Sequence, residues 1–294
     1  MPTEISWRPH VTVSGLHAAE ASARRAVFAD SRLAEAIRVP ASQLAAEISA
    51  AHLPQARFWQ HLIPLAGTRD HRRGFVETAV AKTAGRGPQF EQVVSGITAH
   101  VAALDVTVKA ALPELANELS LRERPLREQW EARGPGLLTQ IGCLTEESLI
   151  VPQCEALLVY PALGGGGEAH LAYNSARIEA VLANPVPELP EVVRLAWLIA
   201  QLQLDLPIYS ESIHAERLPH IAKYAMLPAA LAAAECVELV RFTPALVSSA
   251  ISAWRLAIPS GFDASGLVMD WWQTYQQARP PWRVGLEALN EMFG

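Results

Sequence analysis

Glu191 and Arg194 stand three residues apart in the segment "PELPEVVRLAWLIAQLQLD", Pro187–Asp205, and can pair on a helix. Most of that segment is apolar: Leu189, Val192, Val193, Leu195, Trp197, Leu198, Ile199, Leu202 and Leu204 surround the axis. At 100° per residue, Glu188, Glu191, Arg194, Gln201 and Asp205 fall within one arc of about 140°. The segment therefore reads as a buried central helix over 187–205 with one polar face. That face either fixes the helix to a neighbour or lines a cleft.

The second feature is "YPALGGGGEAHLAYNSARIEAVL", with four consecutive glycines, Gly164–Gly167. A phosphate cradle needs backbone N–H groups at a helix N-terminus, usually with a lysine and a hydroxyl. Here an acid, Glu168, follows at once, and Ala169–Tyr173 alternates like a strand. The glycines are expected to form a side-chain-free turn or a flap over a groove. Residues 169–182 read either as a strand or as a strand followed by the helix "ARIEAVLAN". On the cleft reading, Tyr173 and the glycine turn stand opposite Glu191 and Arg194.

Other chemical signals are sparse. No two of the nine histidines are four residues apart, and HExxH, GxSxG, GxGxxG and P-loop patterns are absent. His214 and His220 are six apart with Pro219 between them, a weak pair. His170 is a third weak candidate. No cofactor or metal is expected from these spacings.

Composition bounds the class. The chain has 294 residues, 50% hydrophobic and 18% charged, with a formal charge of −6. That suffices for a large core and supplies no basic stripe for nucleic acid. Three cysteines without CxxC fit a reducing compartment. No apolar run reads as long enough to span a bilayer. A soluble, cytoplasmic protein is expected, without nucleic-acid or membrane partners.

The elements that must position these residues are mainly helical. A short strand is expected around Val11 and Val13, then helices to about Arg133. "RGPG", Arg133–Gly136, is the strongest punctuation in the chain and is expected to end a charged helix there. "SLIVPQCEALLVYPAL" is strand-like on either side of Pro152, and the chain is helical again from Glu188, with breaks that include Pro259–Gly261. The fold class is thus mainly α or α+β: a helical N-terminal region, a small mixed or antiparallel sheet in the middle, the buried helix, and a helical C-terminal region. The regions divide as 1–134 and 135–294, or form one continuous domain. The C-terminal region holds Trp254, Trp271, Trp272 and Trp282. Adjacent Trp271 and Trp272 are expected to be one buried and one partly exposed, the latter a contact for an oligomer.

The order of strand, glycine-rich connection, edge strand and buried helix over Val159–Val240 resembles the core of zincin metallopeptidases. The resemblance implies a later helix, "LAAAECVELV", with inward Glu235 and Glu238. The central helix has no histidine, so what it implies is a degenerate, metal-free relative that keeps a peptide-sized groove.

Two functions follow. One is a non-catalytic binding or interaction protein for a small molecule, peptide or protein, with Tyr173, Glu191, Arg194 and Glu235 at its groove. The other is a degenerate zincin-like protein or a hydrolase with a non-standard Glu/His site, in which Glu191, Glu235 and one of His170, His214 or His220 converge.

Overall fold

A computed structural model describes residues 3–256 and 263–294; the sequence break at Pro259–Gly261 lies outside them. Its architecture is a four-stranded sheet among twelve α-helices in the described residues. Strand β1 (Glu4–Pro9) is followed by helices α1 (Val11–Ala23), α2 (Ser31–Ala50), α3 (Gln55–Thr68), α4 (Arg72–Ala84), α5 (Phe90–Ala111) and α6 (Leu115–Leu144). Strands β2 (Gln153–Val159), β3 (Gly167–His170) and β4 (Ser175–Glu179) complete the sheet. The chain ends in α7 (Glu191–Ile199), α8 (Pro207–Ser210), α9 (Leu218–Cys236), α10 (Pro244–Ala253), α11 (Ala264–Ala278) and α12 (Trp282–Met292). The mixed sheet between helical ends agrees with the fold class expected.

The strand order is β1-β2-β4-β3. Strands β1, β2 and β4 are parallel, and β3 is the antiparallel edge. Because β1 pairs with β2, the two ends of a stretch of nearly 150 residues meet in one sheet. Helices α1 and α3 cover the face that carries Leu157 and Arg177, while α6 and α7 also pack on the sheet. A single apolar core runs through all of these elements.

Several local expectations are corrected. Val11 and Val13 belong to α1, because His10 takes an extended conformation and its Nδ1 accepts the Val13 N–H as an N-cap; the strand precedes it. Helix α6 runs through Pro125, Gly134, Pro135 and Gly136 without a break. Each proline removes one helical hydrogen bond, but Leu126, Trp130, Leu137, Leu138 and Ile141 are buried along one side and hold the helix together. The boundary at 134/135 falls inside it. Residues 169–182 hold no helix: Leu171–Tyr173 form a single 3₁₀ turn and Asn174 is left-handed (φ 48°), so the hairpin tip lies there, not at the glycines. The central helix is shorter than 187–205, spanning Glu191–Ile199.

Helix α5 also departs from expectation. Over Phe90–Ala111 it is long and apolar enough to cross a membrane by length and composition. It packs on α2 and α4 and buries Val94, Ile97, Val101, Leu104 and Val108, as the core helix of a folded domain does. Both Trp271 and Trp272 are buried, with Tyr275 stacked against them and Trp282 edge-on to Trp271 and Tyr275, so the aromatic cluster closes the last two helices onto the body.

Candidate functional site

Strand β4 reads "SARIE", and its alternation carries the site. Ala176 and Ile178 take one face of the strand; Ser175, Arg177 and Glu179 take the other. All five are buried. The polar face meets α1, where His17, Glu20 and Arg24 recur at three- and four-residue spacing and so share one side of the helix.

Glu179 is the centre of the glycine segment. Its Oε1 accepts the Leu163 N–H at 2.6 Å and faces His17 Nε2 at 2.7 Å. Its Oε2 accepts the Gly165 and Gly166 N–H groups at 2.6 and 2.7 Å. The glycines therefore do cradle an anion, but it is the protein's own carboxylate. Gly164 (φ 77°) and Gly165 (φ 140°) take up the left-handed backbone that turns these N–H groups inward. Burial opposes ionisation of Glu179, yet His17 and the backbone N–H groups of Gly165 and Leu163 outweigh it and hold its pKa at about 2.

Arg194 locks the other side of the segment. It is fully buried and donates to the Gly166 carbonyl at 2.5 Å and the Glu179 carbonyl at 2.8 Å. It also pairs with Glu191. Of the expected polar arc, Glu191 and Arg194 on α7 and Gln201 beyond it are buried, Gln201 donating to the Trp197 carbonyl, whereas Glu188 is exposed and Asp205 half-buried, both outside the helix.

Beside this lock lies a charged chamber of about 320 Å³, lined by His17, Glu20, Arg24, Glu168, Arg177, Glu216, His220, Lys223 and Arg255, with Trp197 and Trp254. The two indoles stack with centroids 4.8 Å apart. Glu20 pairs with Arg24 at 2.6 Å and with Arg177 at 2.8 Å. Burial works against its ionisation, but Arg177 and Arg24 bring its pKa down to about 2. Lys223 Nζ donates to Glu168 Oε2 at 2.8 Å. Arg177 is 3% exposed; its Nη1 approaches Glu20 off the direction of a hydrogen bond, and neither Nη1 nor Nε donates to an acceptor.

A second, more apolar chamber of about 310 Å³ adjoins it, lined by Ala169, Leu171, Ile213, Leu218 and Tyr173 among others. Gln60 and Pro219 border both chambers. His170 opens on the second; burial, then the charge of Arg177, lowers its pKa to about 3, and its Nε2 has no partner. Tyr173 Oη and His61 Nδ1 are 2.7 Å apart, and burial raises the phenol to about 12.

The edge strand links the chambers. Glu179 N–H donates to the Gly166 carbonyl. In the antiparallel register, Glu168–Arg177 and His170–Ser175 are then the hydrogen-bonded pairs. The peptide groups of Gly167 and Ala169 turn to the open edge. Gly167 lines the charged chamber and Ala169 the apolar one. Close packing places the edge here: a Cβ on Gly167 would come within 2.8 Å of Leu198 on α7.

The residues expected at one groove are dispersed. Tyr173 and His170 belong to the apolar chamber, His220 to the charged one, and Glu191 and Arg194 to the lock. His220 packs on the rings of Tyr224 and Phe293. His214 is exposed, its Nδ1 accepting the Glu216 N–H. Glu235 and Glu238 sit exposed at and just beyond the end of α9, where Glu235 accepts the Phe242 N–H, so neither points inward. A buried Glu/His pair forms elsewhere, between His17 and Glu179. Among the described residues no group of three or more His, Cys, Asp or Glu side chains could hold a metal ion. His17, Glu20, Arg177 and Glu179 went unnoticed in the sequence; the period-two pattern of "SARIE" was the available signal.

These buried groups set the acid response. Glu20 and Glu179 have pKa values near 2 in the folded chain against an ordinary 4.5, so their stabilisation is present above pH 4.5 and is lost as pH falls toward 2. His170, neutral when folded, protonates near 6.5 when unfolded, so its contribution is complete above 6.5 and falls toward pH 3. At about 1.4 kcal/mol per unit, His170 alone removes about 2–3 kcal/mol by pH 4.5. Urea midpoints at pH 7.5, 5.5 and 4.5 should decline stepwise, and the decline should flatten in His170→Phe. A midpoint constant over this range would contradict the burial of a neutral imidazole.

Compared with models of known protein families, with curated proteins and with solved structures, the chain matches none.

Proposed function

We propose that the protein binds an extended peptide along the open edge of β3. The observation that carries this reading is the pair of free peptide groups at Gly167 and Ala169, each opening on its own chamber. Strand addition to such an edge takes its affinity from main-chain hydrogen bonds and its specificity from alternate side-chain pockets. Two chambers of this size fall within the range of ligand sites. Four residues of strand span about 13 Å, so the groove suits a short segment. Three free cysteines support a reducing compartment, in keeping with a cytoplasmic location.

Hydrogen exchange with a pool of random free-acid hexapeptides tests the reading. At saturation the Gly167 and Ala169 amides should gain protection, and Trp197 and Trp254 fluorescence should change. Ala169→Pro removes an edge donor that the β3–β4 ladder does not use, and should weaken binding about tenfold. No retention of peptide by the wild type, or equal binding by the variant, would overturn it.

The hydrolase alternative has one observation in its favour: His17 lines the charged chamber, is held by Glu179, and leaves its Nδ1 without a partner. Mass spectrometry of the same pool after incubation reads it. Cleavage abolished by His17→Ala would support hydrolysis; an intact pool would exclude it for these peptides.

A further inference from the structure

We infer that the charged chamber receives the peptide's C-terminal carboxylate, bound by Arg177 with Lys223 beside it. This rests on the peptide reading above and adds a direction and a terminus to it.

Strand β3 runs from Gly167, in the charged chamber, to His170, in the apolar one. A peptide added antiparallel to it therefore enters the apolar chamber with its N-terminal part and ends in the charged chamber. A parallel peptide would bring its N-terminal amine there instead. The chamber's chemistry chooses between the two.

Arg177 is a permanent cation, buried to more than nine-tenths, whose Nη1 lies 2.8 Å from Glu20 Oε2 off the direction of a hydrogen bond and whose Nε has no hydrogen-bond partner. Its ion-pair partner Glu20 is shared with Arg24 and approached off-line, and Glu168, its cross-strand neighbour, is held by Lys223. Buried donors without partners are costly, and a carboxylate is the group whose geometry suits a guanidinium fork. Two of the chamber's three acids are already engaged, Glu20 by two arginines and Glu168 by Lys223, and the third, Glu216, is exposed. An incoming ammonium would find those two acids taken and Arg177 repelling it. Arg24, Arg177, Lys223 and Arg255 stand against Glu20, Glu168 and Glu216 in the lining, leaving one positive charge for the ligand to neutralise. Glu179 does not enter this balance, because His17 and three backbone N–H groups enclose it.

Fluorescence anisotropy with two random hexapeptide pools decides the point. Both carry an N-terminal fluorophore; one ends in a free carboxylate and the other in a primary amide. At pH 7 the free-acid pool should bind about tenfold more tightly, since a hydrogen bond to a charged partner is lost in the amide. Arg177→Gln should bring the free-acid pool to the level of the amide pool, with a urea midpoint confirming the fold. Lys223→Gln, at a partly exposed position that leaves Arg177 and Glu20 untouched, should produce a smaller loss in the same direction. Equal binding of both pools by the wild type would overturn the carboxylate assignment and leave peptide binding standing. Tighter binding of the amide pool would reverse the direction of the peptide. Binding of neither pool would remove the peptide reading, and this inference with it.

Discussion

Glu179→Ala should destabilise the protein to urea by about 3–5 kcal/mol, the range for breaking a buried charged network on one side. The variant deprives the Leu163, Gly165 and Gly166 N–H groups of their acceptor at once and leaves His17 without its only hydrogen-bond partner. Water cannot readily replace the carboxylate, because Glu179 is fully buried and Gly165 and Gly166 are buried around it. Glu179→Gln should recover only part of the loss: one amide oxygen still accepts, while its NH₂ meets the N–H groups of the glycines. Loss of peptide binding should accompany the change, since Gly166 is paired to the base of β4 and leads directly into the edge strand. A urea midpoint unchanged within error in Glu179→Ala would refute the account of the glycine segment.

The second large effect is expected at Arg194. Arg194→Ala should cost about 3–5 kcal/mol, again by stranding buried partners. Two carbonyls, those of Gly166 and Glu179, lose their guanidinium donor. Glu191 is left 7% exposed beside the ionised Glu179. Burial already raises the Glu191 pKa against the pull of Arg194, with Glu179 adding to the rise, so removing the arginine drives it to protonate. Replacing both members removes the stranded charge as well as the pair. Arg194→Met with Glu191→Gln should therefore regain a substantial share of the stability lost in Arg194→Met alone. A double-mutant cycle measures that coupling; strictly additive single changes would show that the pair does not act as a unit.

Where sequence reasoning succeeded, the physics was local. The heavy apolar load around Trp197 required a helix packed on several sides, and every residue of α7 is buried. The Glu191–Arg194 spacing gave their ion pair. The absence of a lysine after the glycines excluded a phosphate loop, and the cradle holds a carboxylate instead. Where it failed, a neighbour decided. The prolines and glycines at 134–136 carry a real local preference for a break, and the buried side of α6 overrides it. "ARIEAVL" can satisfy a helical pattern as well as a strand; pairing on both sides by β2 and β3 makes it a strand. The arc on α7 has the same composition whether it faces water or a loop.

The sequence by itself thus determined a mainly helical chain with a small central sheet, a buried apolar helix with one polar face and a glycine connection unable to hold phosphate. These follow from periodicity, propensity and the chemistry of adjacent residues. Only the tertiary structure decided that His17 and Glu20 meet Arg177 and Glu179 across more than 150 residues of chain, that the glycines close on Glu179, and that the edge of β3 opens between a charged and an apolar chamber. A buried charge is stable only opposite its partner, and partners so distant in sequence become neighbours only when the sheet and α1 have been packed together.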